Sequence, residues 1–331
     1  MPSRHPLDRP VAAGPGDPPH GFEHDALVYG SDDEYVAAVV PFLEAGWAAG
    51  ELVSVATTPH NAELLREALG QAAEGLQLTA ASASVSTPAK KIALLNELGA
   101  EPAAASGRRS RIVGEACFGD TTREQLDWVR YEAILNEVFA STAQTFMCAY
   151  DRRELPAWVI DTAERTHAHV WTAGQRRPSP RYVDPSVLAR ELSDQLVPLP
   201  VPGDREPVLD RTVDRSGLGS VRTRLAELAR DSTGSPDRAS DVTLGLNEIV
   251  TNALEHGSER AQVRCWRDDE RLVVEVTDNG PGYDDPLAGY WPPAPDQLDG
   301  RGLWLARQTL DAVELESPSD LGLRARVAVR L

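Results

Sequence analysis

Short apolar runs and amphipathic helical stretches alternate from about Leu27 to Trp171, and the alternation stops at a proline-rich break. No other feature constrains the fold as much. Asp32 to Ala49, Pro59 to Leu69, Lys90 to Leu98, Thr121 to Ala143 and Pro156 to His167 read as helices. In the first of them Tyr35, Val39, Phe42 and Leu43 share one face, the spacing of a core-facing stripe. Glu51 to Ala56, Ser110 to Glu115 and Thr145 to Tyr150 read as strands between these helices. Strands joined through helices need right-handed crossovers, which gives a mostly parallel sheet covered on both faces. The expected first half is therefore α/β. Gly99 to Gly107, rich in Ala, Gly and Ser, reads as a surface loop within it.

Gly174 to Pro180 and Pro198 to Pro207 are the breaks, and Pro185 to Leu196 forms one helix between them. An extended, semi-rigid connection is the simplest reading. A chain of 331 residues is long enough for two cores. The expected organisation is a disordered tail over 1–20, a first domain over 21–172, a linker over 173–207 and a second domain over 208–331.

The second half has a different rhythm. Leu218, Val221, Leu225 and Leu228 give an amphipathic helix, and Ser235-Pro236 starts another. That second helix carries two faces. Val242, Leu246, Ile249, Val250 and Ala253 form an apolar stripe, while Glu248, Asn252, Glu255 and His256 fall on another face. A carboxylate and a carboxamide one turn apart can aim at a single metal-bound phosphate. Ala261 to Arg267 and Leu272 to Thr277 form a hairpin, which delivers Asp278-Asn279-Gly280-Pro281-Gly282. The loop from Tyr283 to Asp299 is too long for a simple connection and is a candidate lid. It ends at Gly300-Arg301-Gly302, where a helix opens with Leu303, Ala306 and Leu310 spaced for packing. Glycines at a helix start offer backbone N–H groups and a positive dipole end to phosphate. Val313 to Glu316 and Arg324 to Leu331 close the chain as a last hairpin.

Each piece alone is a common turn or helix start, but the order is specific. Glu-x-x-x-Asn on a helix, then Asp-x-Gly-x-Gly after a hairpin, then Gly-x-Gly opening a helix, resembles the GHKL ATPases with their Bergerat fold. Within them it is most similar to the anti-sigma-factor serine/threonine kinases. The resemblance implies a two-layer α+β domain that binds ATP and Mg²⁺. It implies that Asn252 coordinates the Mg²⁺ and that Glu248 is the general base. Asp278 would accept from the adenine amino group, Gly280 and Gly282 would shape the pocket, and Gly300, Arg301 and Gly302 would contact phosphate. The implied partner is a sigma factor, its antagonist protein, or both, and a homodimer stays open. Phosphoryl transfer fits these residues, because it needs positioning, metal charge and a proton acceptor rather than a covalent nucleophile.

Two departures stand out. Where the family's last strand begins Gly-Thr, this chain reads Gly322-Leu323-Arg324, so a hydroxyl at the adenine site is missing. The lid carries Tyr290-Trp291-Pro292-Pro293, which either packs against a partner or stiffens the loop; stiffening is the expectation. Two alternatives remain beside the kinase. A sensor histidine kinase uses a related domain, but such enzymes carry Asn where Glu248 stands and need an acceptor histidine, and none occurs between His169 and His256. A non-catalytic module that takes ATP only as a conformational ligand is the other.

Polar residues in the first half sit where α/β sheets place ligands, near strand ends and the loops that follow. They are His24 and Tyr29, then Tyr131, Glu132 and Asn136, then Cys148 to Asp151, and Thr166-His167. In this order they resemble the MEDS sensory domain, related to RecA-like folds without a working phosphate loop. The resemblance implies a RecA-like parallel sheet that senses a small molecule or a cellular state, with His24, Tyr131, Glu132, Cys148 and His167 as candidate site residues. A His24/Cys148/His167 metal set requires the fold to bring the three together. Otherwise Cys148 is a buried small hydrophobe and the histidines bond to backbone.

Composition narrows the classes further. The formal charge of −18 argues against nucleic acid as the main partner. Lys90 and Lys91 are the only lysines, so no Gly-Lys pair and no Walker A loop exists. Cys117, Cys148 and Cys265 show no metal or disulfide spacing, and no apolar run of about 18 residues occurs. Residues 1–20 lack an apolar signal core. The expectation is a cytoplasmic protein with no membrane span.

Overall fold

A computed structural model describes residues 21–331 except 81–86, 116–117, 120, 173, 196–197, 202–204, 283–284, 286–287, 292–300 and 319–321. The expected tail, Cys117, Gly300 and most of the lid therefore lie outside the described residues.

The first half runs β1 (Glu23–Tyr29), α1 (Asp32–Ala48), β2 (Leu52–Thr57), α2 (Pro59–Leu69), β3 (Gln77–Ala80), α3 (Pro88–Leu95), α4 (Glu101–Ser106) and β4 (Ser110–Glu115). It continues with α5 (Thr122–Val138), β5 (Gln144–Asp151), α6 (Ala157–Thr166), β6 (His169–Thr172), β7 (Gln175–Pro178) and α7 (Pro185–Gln195). The sheet order is β3-β2-β4-β5-β1-β6-β7. Every neighbouring pair is parallel except the edge pair β6–β7. This is the mostly parallel sheet the alternation predicts. Side chains alternate across the strands, as a period of two demands. Leu27, Val55, Val113 and Met147 meet Tyr35, Val39 and Leu43 of α1 on one face. Ala26, Ile112, Phe146, Cys148 and Tyr150 meet α3, α5, α6 and α7 on the other.

Three expectations change here. Residues 99–107 are not a loop: a wide π turn over Asn96–Ala100 leads into α4, with Asn96, Gly99 and Ala103 buried. Alanine is the best helix former, and it outweighs the turn signal of the flanking glycines. Helix α5 stops at Val138 rather than Ala143, because the backbone N–H and hydroxyl of Thr142 both close onto the Phe139 carbonyl at 2.8 Å. The first proline-rich break carries β7, which fits because proline lacks a ladder donor and is tolerated on a sheet edge.

The second half comprises β8 (Leu209–Val213), α8 (Leu218–Ser232), α9 (Pro236–Asn252), β9 (Ala261–Arg267), β10 (Arg271–Asp278), α10 (Arg301–Thr309), β11 (Ala312–Glu316) and β12 (Arg324–Arg330). Its sheet is antiparallel in the order β11-β12-β10-β9-β8. Val263, Cys265, Val274, Val276 and Val327 cover one face and bury Val221, Leu225, Val242, Leu246 and Leu310 of the three helices. This is the two-layer α+β arrangement. Leu199, from the second proline-rich break, lies on the opposite face against Val273 and Ala328.

The halves also meet through the start of the lid. Tyr290 is 3% exposed and belongs to the apolar cluster of the first half. Its hydroxyl accepts from Arg130 Nη1 at 3.2 Å, and the Arg307 guanidinium lies 4.1 Å from its ring centre. Trp291 stands edge-on to Phe139 at 5.4 Å. The aromatic pair therefore docks on the first half, and the expectation that it merely stiffens the loop is corrected. An aromatic side chain gains far more from burial than from local stiffening, which is why docking wins.

Candidate functional site

The site of the second half begins with how closely α9 and α10 approach. A Cβ built on Gly245 would lie 2.8 Å from Leu310 Cγ, so only glycine lets the two helices touch there. This contact brings the first turn of α10 over the polar face of α9. A Cβ on Gly302 would lie 2.5 Å from Glu248 Oε2 and 3.3 Å from Asn252 Oδ1. Glu248, Asn252 and Gly302 thus converge, and both polar side chains are half-buried. Arg301 opens α10 and is exposed.

After Asn252 the helix widens into a π turn, Ala253–Gly257, a feature frequent at functional sites. The turn sets Gly257 against the end of β10. There Asp278 is 3% exposed, and its backbone pairs with the last strand's approach. Its N–H donates to the Leu323 carbonyl and its carbonyl accepts from Gly322 N–H, both at 3.0 Å. Asp278 Oδ1 accepts from Gly280 N–H at 2.7 Å. Asp278 Oδ2 is buried and has no hydrogen-bond partner among the described residues. Gly257, Gly280 and Gly322 surround this carboxylate so tightly that a Cβ on Gly322 would lie 2.7 Å from Oδ1. Gly282 sits at φ +79°, a left-handed conformation that favours glycine. The cradle therefore holds one unspent carboxylate oxygen, which suits a buried N–H donor from outside the chain. Gly257 was not legible as part of it, because its contact depends on the π turn.

Residues 23–168 match the MEDS family (MEthanogen/methylotroph, DcmR Sensory domain), and residues 213–328 match the histidine kinase-like ATPase domain. An anti-sigma F factor of Clostridium botulinum (strain Eklund 17B / Type B) is 29% identical over 116 residues, covering 32% of this chain and 81% of that protein. A serine-protein kinase RsbW of Bacillus licheniformis is 30% identical over 115 residues, covering 31% of this chain and 72% of that protein. The chain belongs to the anti-sigma-factor serine kinase family. A MEDS domain precedes its ATPase domain. A mycobacterial sensor histidine kinase, MprB, has 16% identity, with 37% of this chain and 97% of that chain covered at a TM-score of 0.27.

The ATPase domain's donors fit the groups its family implies. Mg²⁺ takes hard oxygen ligands, usually one or two from the protein beside phosphate and water. Asn252 Oδ1 is such an oxygen and lies near the first turn of α10. The orphaned Oδ2 of Asp278 would be an acceptor for an adenine amino group.

In the MEDS domain the candidate residues separate into two groups. His24, Glu132, Cys148 and His167 converge beneath α5, with donor atoms all within 4.8 Å of one another. They sit on the sheet's face away from the C-terminal ends of the strands, because His24 is the second residue of β1 and Cys148 lies inside β5. Tyr131 turns aside to stand edge-on to Trp128 at 5.1 Å. A second polar knot does occupy the strand ends. Glu115 accepts from Tyr29, from Thr57 Oγ1 at 2.5 Å and from Asn61 Nδ2 at 2.9 Å, and burial with the neighbouring Glu115 charge pushes the Tyr29 hydroxyl's pKa up. Sequence reading found Tyr29 but missed Thr57, Asn61 and Glu115. Polar residues that close strands were the available signal.

No helix among the described residues is long and apolar enough to cross a membrane.

Proposed function

We propose that this chain is a signal-responsive anti-sigma regulator whose ATPase domain is a serine/threonine protein kinase gated by its MEDS domain. The observation that carries the reading is the convergence of Glu248, Asn252 and the first turn of α10 at Gly302. Asn252 Oδ1 would hold Mg²⁺, and Asp278 Oδ2 would hold the adenine amino group. Bound Mg-ATP supplies the transferable phosphoryl group, with its charge neutralised by the metal. Glu248 Oε2 takes the proton from the attacking serine or threonine hydroxyl, and Gly302 leaves the room that hydroxyl needs. The relatives' names point to a sigma factor as partner and the family resemblance adds its antagonist, alone or as well, with any homodimer formed through the ATPase domain. The domains are those read from the sequence, with 21–172 extended through β7 and α7, which complete its sheet and core, and 208–331 as the second, and the protein works in the cytoplasm. Tyr290 supports the gating, because it ties the lid to the MEDS core.

The test is isothermal titration of the full chain with Mg-ATP. Binding is expected, and Asp278→Asn should weaken it by about 10–100-fold, the worth of a charge-assisted hydrogen bond turned into a donor–donor clash. An Asp278→Asn protein that binds ATP as the parent does would refute the adenine assignment. No heat from the parent would remove the kinase reading.

Leu323 supports a second reading, a module that holds ATP weakly without transfer. Its half-buried side chain stands where the family has a hydroxyl. Leu323→Thr should raise ATP affinity by about threefold to tenfold, the net value of one recovered hydrogen bond. The same titration measures it, and an unchanged affinity would mean the hydroxyl has no role here.

A further inference from the structure

We propose that His24, Glu132, Cys148 and His167 form a buried tetrahedral site for a zinc-class divalent metal ion in the MEDS domain. The inference is independent of the kinase reading.

The geometry comes first. Zinc binds at about 2.0–2.3 Å from N, O and S donors, so the edges of its tetrahedron run roughly 3.3–3.8 Å. His24 Nε2 lies 3.2 Å from Cys148 Sγ and 3.3 Å from Glu132 Oε2. His167 Nε2 lies 3.5 Å from the same Glu132 Oε2. Three of the six edges thus stand near tetrahedral length, and all four donor atoms lie within 4.8 Å of one another.

The outward bonds of the histidines decide which atoms face the centre. Asn136 Nδ2 donates to the Glu132 and Thr166 carbonyls at 3.2 and 2.8 Å, which fixes its Oδ1 toward His24. His24 Nδ1, 3.2 Å from that oxygen, must therefore carry a hydrogen. His167 Nδ1 is 3.0 Å from the Ala163 carbonyl, which can only accept. Each neutral imidazole then turns a bare Nε2 lone pair inward, the arrangement typical of metal-ligating histidine. His167 Nε2 and Glu132 Oε2 are both buried and have no hydrogen-bond partner among the described residues.

A metal-free alternative would protonate Glu132 and let it donate to His167. At 3.5 Å that contact is far longer than an ordinary hydrogen bond to nitrogen, about 2.7–3.2 Å. A divalent ion with one thiolate, one carboxylate and two neutral imidazoles is a neutral unit, which a buried site tolerates, and it would stand beside the buried Lys91, whose charge also acts on both acids. Without the ion, burial raises the pKa values of Cys148 and Glu132 and lowers those of His24 and His167 to about 4 and about 3. An ion at the centre would offset the desolvation of both acids. Glu132 and Cys148 also line a cavity of about 940 Å³, bounded by Trp128 and Tyr131 and, from the ATPase domain, Arg271 and Leu331. That cavity is the entry path.

The test is cobalt(II) titration of the full chain after chelator treatment. One equivalent should produce the intense visible bands of tetrahedral cobalt and a near-ultraviolet thiolate-to-cobalt band, and zinc should bleach both. Cys148→Ser, nearly isosteric, should lose the thiolate band. Glu132→Gln should lower cobalt affinity by at least about tenfold, with circular dichroism confirming that each variant is folded. Cobalt held at Glu248 and Asn252 would give only the pale spectrum of an oxygen-ligated ion. No saturable tetrahedral spectrum, or a thiolate band that persists in Cys148→Ser, overturns the proposal and leaves a hydrogen-bonded polar core.

Discussion

Alanine in place of Glu248 is expected to lower phosphoryl transfer by about 10²–10⁴-fold, the usual contribution of a general base. Mg-ATP affinity should stay within about threefold, well under 1.4 kcal/mol. The two effects separate because different residues carry them. The adenine side of the pocket would be built on Asp278 and its glycines, whereas Glu248 faces Gly302 and the end where the phosphates would lie. Glu248→Gln sharpens the result. It keeps the size and one hydrogen-bonding oxygen but cannot take a proton, so it should be nearly as inactive as alanine. Single-turnover transfer from labelled ATP to the purified antagonist, with titration of the same variants, measures both quantities. Transfer that survives within tenfold in Glu248→Gln would remove the base assignment and favour the module that only holds nucleotide.

Glutamate at this position also separates the chain from histidine kinases on chemical grounds. An imidazole attacks phosphorus through a lone pair and needs little help, whereas a hydroxyl must lose its proton as the bond forms. The nearby Asn252 cannot replace it, because a carboxamide has no basic oxygen.

The sequence was most legible where one period runs long. The apolar stripe of α9 and the alternation of β9 and β10 placed Glu248, Asn252 and Asp278 on their elements. Contacts that depend on tertiary approach were hidden. Nothing in the spacing of Gly257 shows that it will press on Asp278, since that follows from the π turn after Asn252. Glu132 was read as a polar helix residue near a ligand site, but its meeting with His24 depends on α5 crossing β1 and β5, over 100 residues apart in sequence. β8 went unread as a strand because only Leu209 and Val213 are buried along it. Tyr290 was misjudged for the same reason as Glu132. Its pocket is made by the other half of the chain.

That misjudged tyrosine gives the largest expected change in stability. Tyr290→Ala empties a site that is 3% exposed and removes a ring held between Arg307 at 4.1 Å and Arg130 at 5.5 Å. Truncating a buried aromatic side chain costs about 3–5 kcal/mol. Here the loss falls on the seam between the domains, because Tyr290 belongs to the MEDS core while Arg307 belongs to α10. Thermal unfolding, expected as one transition in the parent, should divide into two, with the ATPase domain melting apart from the MEDS domain. Tyr290→Phe separates packing from hydrogen bonding. It keeps the ring between the guanidinium groups and loses only the bond from Arg130, so it should cost about 0.5–1.5 kcal/mol and leave one transition. Scanning calorimetry of the three proteins, with proteolysis timed at the lid, distinguishes the cases. If Tyr290→Ala unfolds in one step at the parent's temperature, the docked tyrosine does not couple the domains, and gating must pass through another contact. The ion pairs between Arg123 and Glu314 and between Arg330 and Glu124 also cross the seam. The Arg330 pair is the weaker candidate for that role, since Arg330 is largely exposed and solvent-facing ion pairs contribute about 0–1 kcal/mol, whereas Arg123 and Glu314 are largely buried.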